Sequence, residues 1–122
     1  MNSLRLITVM GVILCLNWAQ AAEEFKTAKG KAVVTPVNHA TMVVEWNSII
    51  IYVDPVGQLD WYKSFPKPDV VLLTHIHGDH YKEAILKEVV GPKTQLVAPP
   101  AWPGALSGGL RPQPAPLGTA AL

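Results

Sequence analysis

The stretch Val70-Val71-Leu72-Leu73-Thr74-His75-Ile76-His77-Gly78-Asp79-His80 decides how this chain reads. Its first half is a short apolar run rich in β-branched residues, which predicts a buried strand over 70–74. Its second half sets four candidate metal ligands, His75, His77, Asp79 and His80, within six residues. Three of the four histidines in the chain lie there. Imidazole and carboxylate together suit a borderline divalent cation such as zinc. Side chains two apart in an extended segment project to the same side, so His75 and His77 can grip one ion. Gly78 is expected to turn the chain sharply and bring Asp79 and His80 back to the same region. The ligands begin where the apolar run ends, at the carboxyl end of a strand, where α/β sheets open their clefts.

Upstream, Ala32 to Val37 reads as a strand, with Pro36 marking an edge or a strand end. Thr41 to Trp46 alternates: Met42, Val44 and Trp46 share one face, and Thr41, Val43 and Glu45 the other. Asn47-Ser48 is a two-residue hairpin turn. Ile49 to Val53 is a continuous apolar strand of the kind covered on both faces. It ends at Asp54-Pro55, where the proline is expected to hold Asp54 extended. Val56 to Pro68 is a connection carrying Trp61, Tyr62 and Phe65, with a short helical turn. Downstream, Tyr81 to Val90 predicts a helix with Ala84, Ile85 and Val89 as its apolar stripe and Glu83 four residues before Lys87. Gly91-Pro92 stops it, and Thr94 to Ala98 reads as the next strand.

The chain has 122 residues and a formal net charge of +1, so it holds one domain at most and no broad basic face. No nucleic-acid partner is expected. Residues 1–21 read as a secretory signal peptide: one basic residue, Arg5, an apolar run from Leu6 to Leu16, and Ala19-Gln20-Ala21 before the cut. The run is too short to span a bilayer, which takes about 20 apolar residues. A periplasmic or secreted chain with no membrane contact after cleavage is therefore expected. The single cysteine, Cys15, would be lost with the signal. A lipid attached to Cys15 is the other reading, and Leu14 speaks against it. Residues 22–31 read as a flexible polar lead-in, 32–98 as the domain, and 99–122 as a disordered, low-complexity Pro/Gly-rich tail with six prolines.

The segment Thr74 to His80 resembles the HxHxDH motif of the metallo-β-lactamase superfamily of metal-dependent hydrolases. Asp54-Pro55 resembles that superfamily's first motif. Asn38-His39-Ala40-Thr41, followed by Tyr52-Val53-Asp54-Pro55, is similar to the branch containing the ascorbate-phosphate lactonase and N-acyl-phosphatidylethanolamine phospholipase groups. The resemblance spans roughly Val33 to Pro100. It implies an α/β fold, here the first half of a metallo-β-lactamase-like αββα sandwich. It implies one or two zinc ions, with manganese or iron as substitutes. His75 and His77 would bind the first ion, and Asp79 and His80 the second, with Asp79 also steering the proton of the attacking water. Asp54 would orient a ligand or the loop, or else simply close a strand end; both readings stay open. His39 would lie near the cleft, or be a solvated loop histidine. The expected substrate is a small ester, lactone, amide or phosphodiester.

The superfamily completes its site with later ligands, whereas no histidine or aspartate follows His80 here. The abrupt change of composition at Pro99 suggests a truncated or frame-changed product, with a natural tail as the other reading. A half sandwich would leave one sheet face uncovered, open to self-association. Three functions therefore stand side by side: a metal-dependent hydrolase, a non-catalytic metal-binding or interaction fragment, and an exported metal carrier.

Overall fold

The computed structural model describes residues 21–99 and the backbone of 113–114. The expected signal peptide lies outside these residues apart from Ala21, and most of the tail from residue 99 also lies outside them. Among the described residues, no helix is long and apolar enough to cross a membrane.

The strands form one mixed sheet in sequence order: β1 Glu23–Thr27, β2 Gly30–Asn38, β3 Thr41–Trp46, β4 Ile49–Val53, β5 Val70–Leu72, β6 Gln95–Ala98 and β7 Gln113–Pro114. The first four pair antiparallel and the last four pair parallel. Helix α1 (Glu83–Val89) connects β5 to β6, and a 3-10 turn at Leu59–Tyr62 lies between β4 and β5. Asn47 and Ser48 both take positive φ, 49° and 64°. That is the type I′ geometry whose twist matches a two-residue hairpin. Pro36 sits inside β2, beyond Val34 where the pairing with β1 stops, and the ladder to β3 shifts register right after it.

The register explains which face is packed. Thr35, Val43, Tyr52, Val71 and Leu96 form one row across five strands, and every one is buried. Leu73, Ala98 and Val37 extend this core, and Ile85, Leu86 and Val89 of α1 and Tyr62 close over it. On the opposite face Met42, Val53, Leu72 and Val97 form a row that is only half-buried or, at Leu72, exposed. The apolar runs of β4 and β5 are thus covered on one face among the described residues, not on both. An apolar run shows that a strand can be sandwiched; it cannot show that both layers are present.

Three further expectations are corrected. The lead-in 22–31 is not featureless, because it carries β1 and the turn into β2. All five β1 residues are exposed, so no apolar alternation announces the strand. Its support is the backbone ladder to β2, the Trp46 Nε1 bond to Thr27 Oγ1 (3.1 Å) and the Lys31–Glu24 ion pair. The helix begins at Glu83, with Lys82 still extended, and its buried stripe uses Leu86 where Ala84 was expected; Ala84 is exposed. Within the predicted tail, Gln113–Pro114 adds a two-residue strand beside β6.

Candidate metal centre

The site grows from the carboxyl ends of two neighbouring parallel strands. β4 runs out into Asp54, and β5 into Leu73 and Thr74. Leu73 N donates to Val97 O at 2.8 Å, which ties the loop's first residue to β6. After it, His80 N and Tyr81 N both donate to His77 O, at 2.9 and 2.8 Å. These two hydrogen bonds to one carbonyl make the turn that brings Asp79 and His80 back. Gly78 is not among the residues with positive φ, and a Cβ there would meet nothing within 4 Å. The turn therefore does not rest on that glycine, contrary to expectation.

Asp54 is the hub. It is 1% exposed and takes φ +43°, in the left-handed region. The extended conformation expected ahead of Pro55 is absent. The cost of that backbone is met by an over-determined set of bonds. Asp54 N donates to Leu72 O at 2.9 Å, and Thr41 Oγ1 donates to Asp54 O at 2.7 Å. Its carboxylate accepts from Thr74 N at 2.7 Å, from Thr74 Oγ1 at 2.5 Å, and from His80 Nδ1 at 2.8 Å. A buried carboxylate needs such partners.

These bonds set the tautomers of two imidazoles. His80 gives its Nδ1 proton to Asp54, so Nε2 is left as the acceptor that faces Asp79. The Thr74 hydroxyl has one proton, and Asp54 receives it. Toward His75 Nδ1, 2.9 Å away, Thr74 can only accept, so His75 also keeps its proton on Nδ1. One buried carboxylate thus orients His80 directly and His75 through Thr74. The sequence reading gives neither Thr74 nor Thr41 a role in the site. The signal for Thr74 was its place between the apolar strand and the first histidine.

The structure brings all the predicted ligands together. The His75 and His77 rings are 4.7 Å apart, and His75 and His80 are 3.9 Å apart. The ligand atoms of His75, His77 and Asp79 lie within 4.8 Å of one another, and so do those of His39, Asp79 and His80. Three-residue sets of imidazole and carboxylate are the donor chemistry of a divalent, zinc-type position, so these residues fit such an ion. His77, Asp79 and His39 are exposed, which leaves the cluster open to solute. The Asp79 carboxyl is held below its ordinary range, first by a hydrogen bond from its own backbone N–H and then by the nearby His80 and His39. It is thus charged at neutral pH, as a ligand must be.

A cleft of about 300 Å³ is lined by Tyr52, Tyr62, Lys63, Phe65, Lys67 and Val89 among others. It lies at the opposite end of the sheet, where the chain enters β5 and not where it leaves. It shares no residue with the histidine cluster and is not the site.

The model of the beta-lactamase superfamily domain matches residues 33–113. The chain belongs to the beta-lactamase superfamily. This superfamily chain is also similar to a crystal structure of a protein from Parabacteroides distasonis ATCC 8503, provisionally described as a metal-dependent hydrolase. The two are 31% identical with a TM-score of 0.59, over 66% of this chain and 37% of that one. The chain thus spans well under half of that structure's length. Among the described residues, the mixed sheet with one helix is a partial metallo-β-lactamase-like fold. No curated protein matches it significantly.

Proposed function

We propose that this beta-lactamase superfamily chain is a zinc-dependent hydrolase whose metal ligands are His75, His77, Asp79 and His80. The observation that carries the reading is the convergence of these four side chains around the hydrogen-bonded unit of Asp54 and Thr74. Imidazoles whose Nδ1 protons are committed elsewhere present Nε2 for coordination. A metal ion held there supplies Lewis acidity and a water that ionises near neutral pH. Asp79 is assigned two roles, ligand and acceptor of the attacking water's proton. Its depressed pKa supports the first role, and its exposure to solvent supports the second. Manganese or iron would suit the same donors.

The substrate we propose is a small ester, lactone, amide or phosphodiester, met outside the cytoplasm after export. The test is retained zinc per chain after dialysis, together with turnover of p-nitrophenyl acetate and bis(p-nitrophenyl) phosphate, for the wild type and His77→Ala. The expected result is stoichiometric zinc and turnover, both lost in the variant. Equal zinc in the two proteins would sink the assignment. A second reading is favoured by one specific observation: the histidine cluster shares no residue with the cleft of about 300 Å³. In that reading the chain binds metal without catalysis, and zinc retained with no turnover would establish it.

A further inference from the structure

We infer that His39 is itself a metal ligand, which together with Asp79 and His80 forms a second divalent-cation position beside His75 and His77. The inference rests on the metal-centre reading above and adds a residue from another part of the chain. His39 Nε2 lies 3.2 Å from Asp79 Oδ2, and His80 Nε2 lies 3.5 Å from the same oxygen. The His39 and His80 rings meet edge to face at 5.6 Å. Asp79 belongs to both three-residue groups, so the two positions would adjoin through it.

Ligand number gives the chemical reason. Among the described residues, Asp79 and His80 are joined at the second position by His39. With it there are three protein ligands, the number that catalytic zinc sites take while leaving one place open for water or substrate. The hairpin that presents His39 is built for placement. His39 occupies the two-residue connection between β2 and β3 and takes φ +52°, uncommon for a residue with a side chain. The next strand begins at Thr41, 1% exposed, whose hydroxyl is bonded to the Asp54 carbonyl. Asp54 therefore fixes both sides of the proposed position: His80 through its carboxylate, and the His39 turn through its carbonyl. A purely stabilising role accounts poorly for this arrangement. The His39–Asp79 pair is well exposed on both sides, and surface ion pairs contribute little.

The experiment is cobalt and zinc titration of the full chain against a competing chelator, for the wild type, His39→Asn, His39→Gly and His77→Ala. Asn and Gly both tolerate the left-handed backbone, so the turn survives, and circular dichroism checks the fold. The wild type should take up two ions. Both His39 variants should hold the second one on the order of 100-fold more weakly, since even residues that merely support a ligand are worth about 10–100-fold. The intensity of the cobalt ligand-field bands should change with that loss, and the His39 Nε2 resonance should shift when zinc binds to the wild type. Two ions bound equally well by wild type and His39 variants, with an unmoved His39 resonance, would overturn this inference and leave the metal-centre reading intact. No ion bound by the wild type would overturn both.

Discussion

Replacing Asp54 by Asn should leave the fold standing and reverse the chemistry of the site. Asp54 Oδ1 accepts the Thr74 backbone N–H at 2.7 Å, so an Asn at 54 keeps its carbonyl oxygen there. Its NH₂ then takes the place of Oδ2, facing Thr74 Oγ1 and His80 Nδ1. Both must now accept. His80 moves its proton to Nε2, and Thr74, free to turn, donates to His75 Nδ1 and drives that proton to Nε2 as well. The two Nε2 atoms that would hold the ion become donors. Restoring the binding tautomer would oppose two N–H groups, at about 1–3 kcal/mol for each unsatisfied group. Metal affinity should therefore fall about 10–100-fold per ligand, and roughly 100-fold or more for the pair. The metal-free fold should lose only about 1–3 kcal/mol, as one charged acceptor is exchanged for a neutral group. Asp54→Ala is harsher. It orphans the Thr74 N–H and the His80 Nδ1–H at about 1–3 kcal/mol for each, a large share of a stability of about 5–15 kcal/mol. The assays are chelator competition with zinc and urea unfolding of the metal-free chain followed by tryptophan fluorescence. Wild-type zinc affinity in Asp54→Asn would refute the tautomer argument, because no other effect of that substitution restores Nε2 as an acceptor.

Other consequences follow from the packing. Leu86 is fully buried against the sheet, so Leu86→Ala should cost about 2–5 kcal/mol in denaturant unfolding; a cost near zero would mean that α1 does not pack on β5 and β6. Gly57 takes φ +85°, and a Cβ there would lie 1.9 Å from the Trp61 ring. Gly57→Ala should therefore cost at least the roughly 1–2 kcal/mol of left-handed strain, and should shift Trp61 fluorescence as the ring is displaced. Burial pushes both Tyr52 and Tyr62 up to about 12, against about 10 in an unfolded chain. A raised pKa contributes stability that is fully present below pH about 10 and is lost as the pH rises through about 12, at roughly 2–3 kcal/mol per ring. The rings stack at 5.4 Å, so the two contributions are not additive. Tyrosinate absorbance should show two late titrations in the folded chain that move down in urea; ordinary titration of all three tyrosines in the folded chain would contradict the packing.

The β3–β4 hairpin, the β5 strand, the ligand loop and the helix after it are legible in the amino-acid sequence. Each of these is encoded locally: positive φ at Asn47-Ser48, an apolar run over 70–73, histidines two apart, and Glu83 paired with Lys87 at 2.8 Å. β1 was not legible, because an exposed strand held by its neighbour's backbone leaves no apolar pattern. The conformation of Asp54 departs from the local expectation for a related reason: a rule about the residue before proline gives way to bonds from Thr41, Thr74 and His80, residues 13, 20 and 26 positions away. Long-range folding alone brings His39 to Asp79, lets Asp54 orient two imidazoles and, among the described residues, packs one sheet face more fully than the other. The composition of a segment fixes which donors it offers. Which donors meet depends on the register and crossing of strands far apart in the chain, and that is settled by burial across the whole sheet.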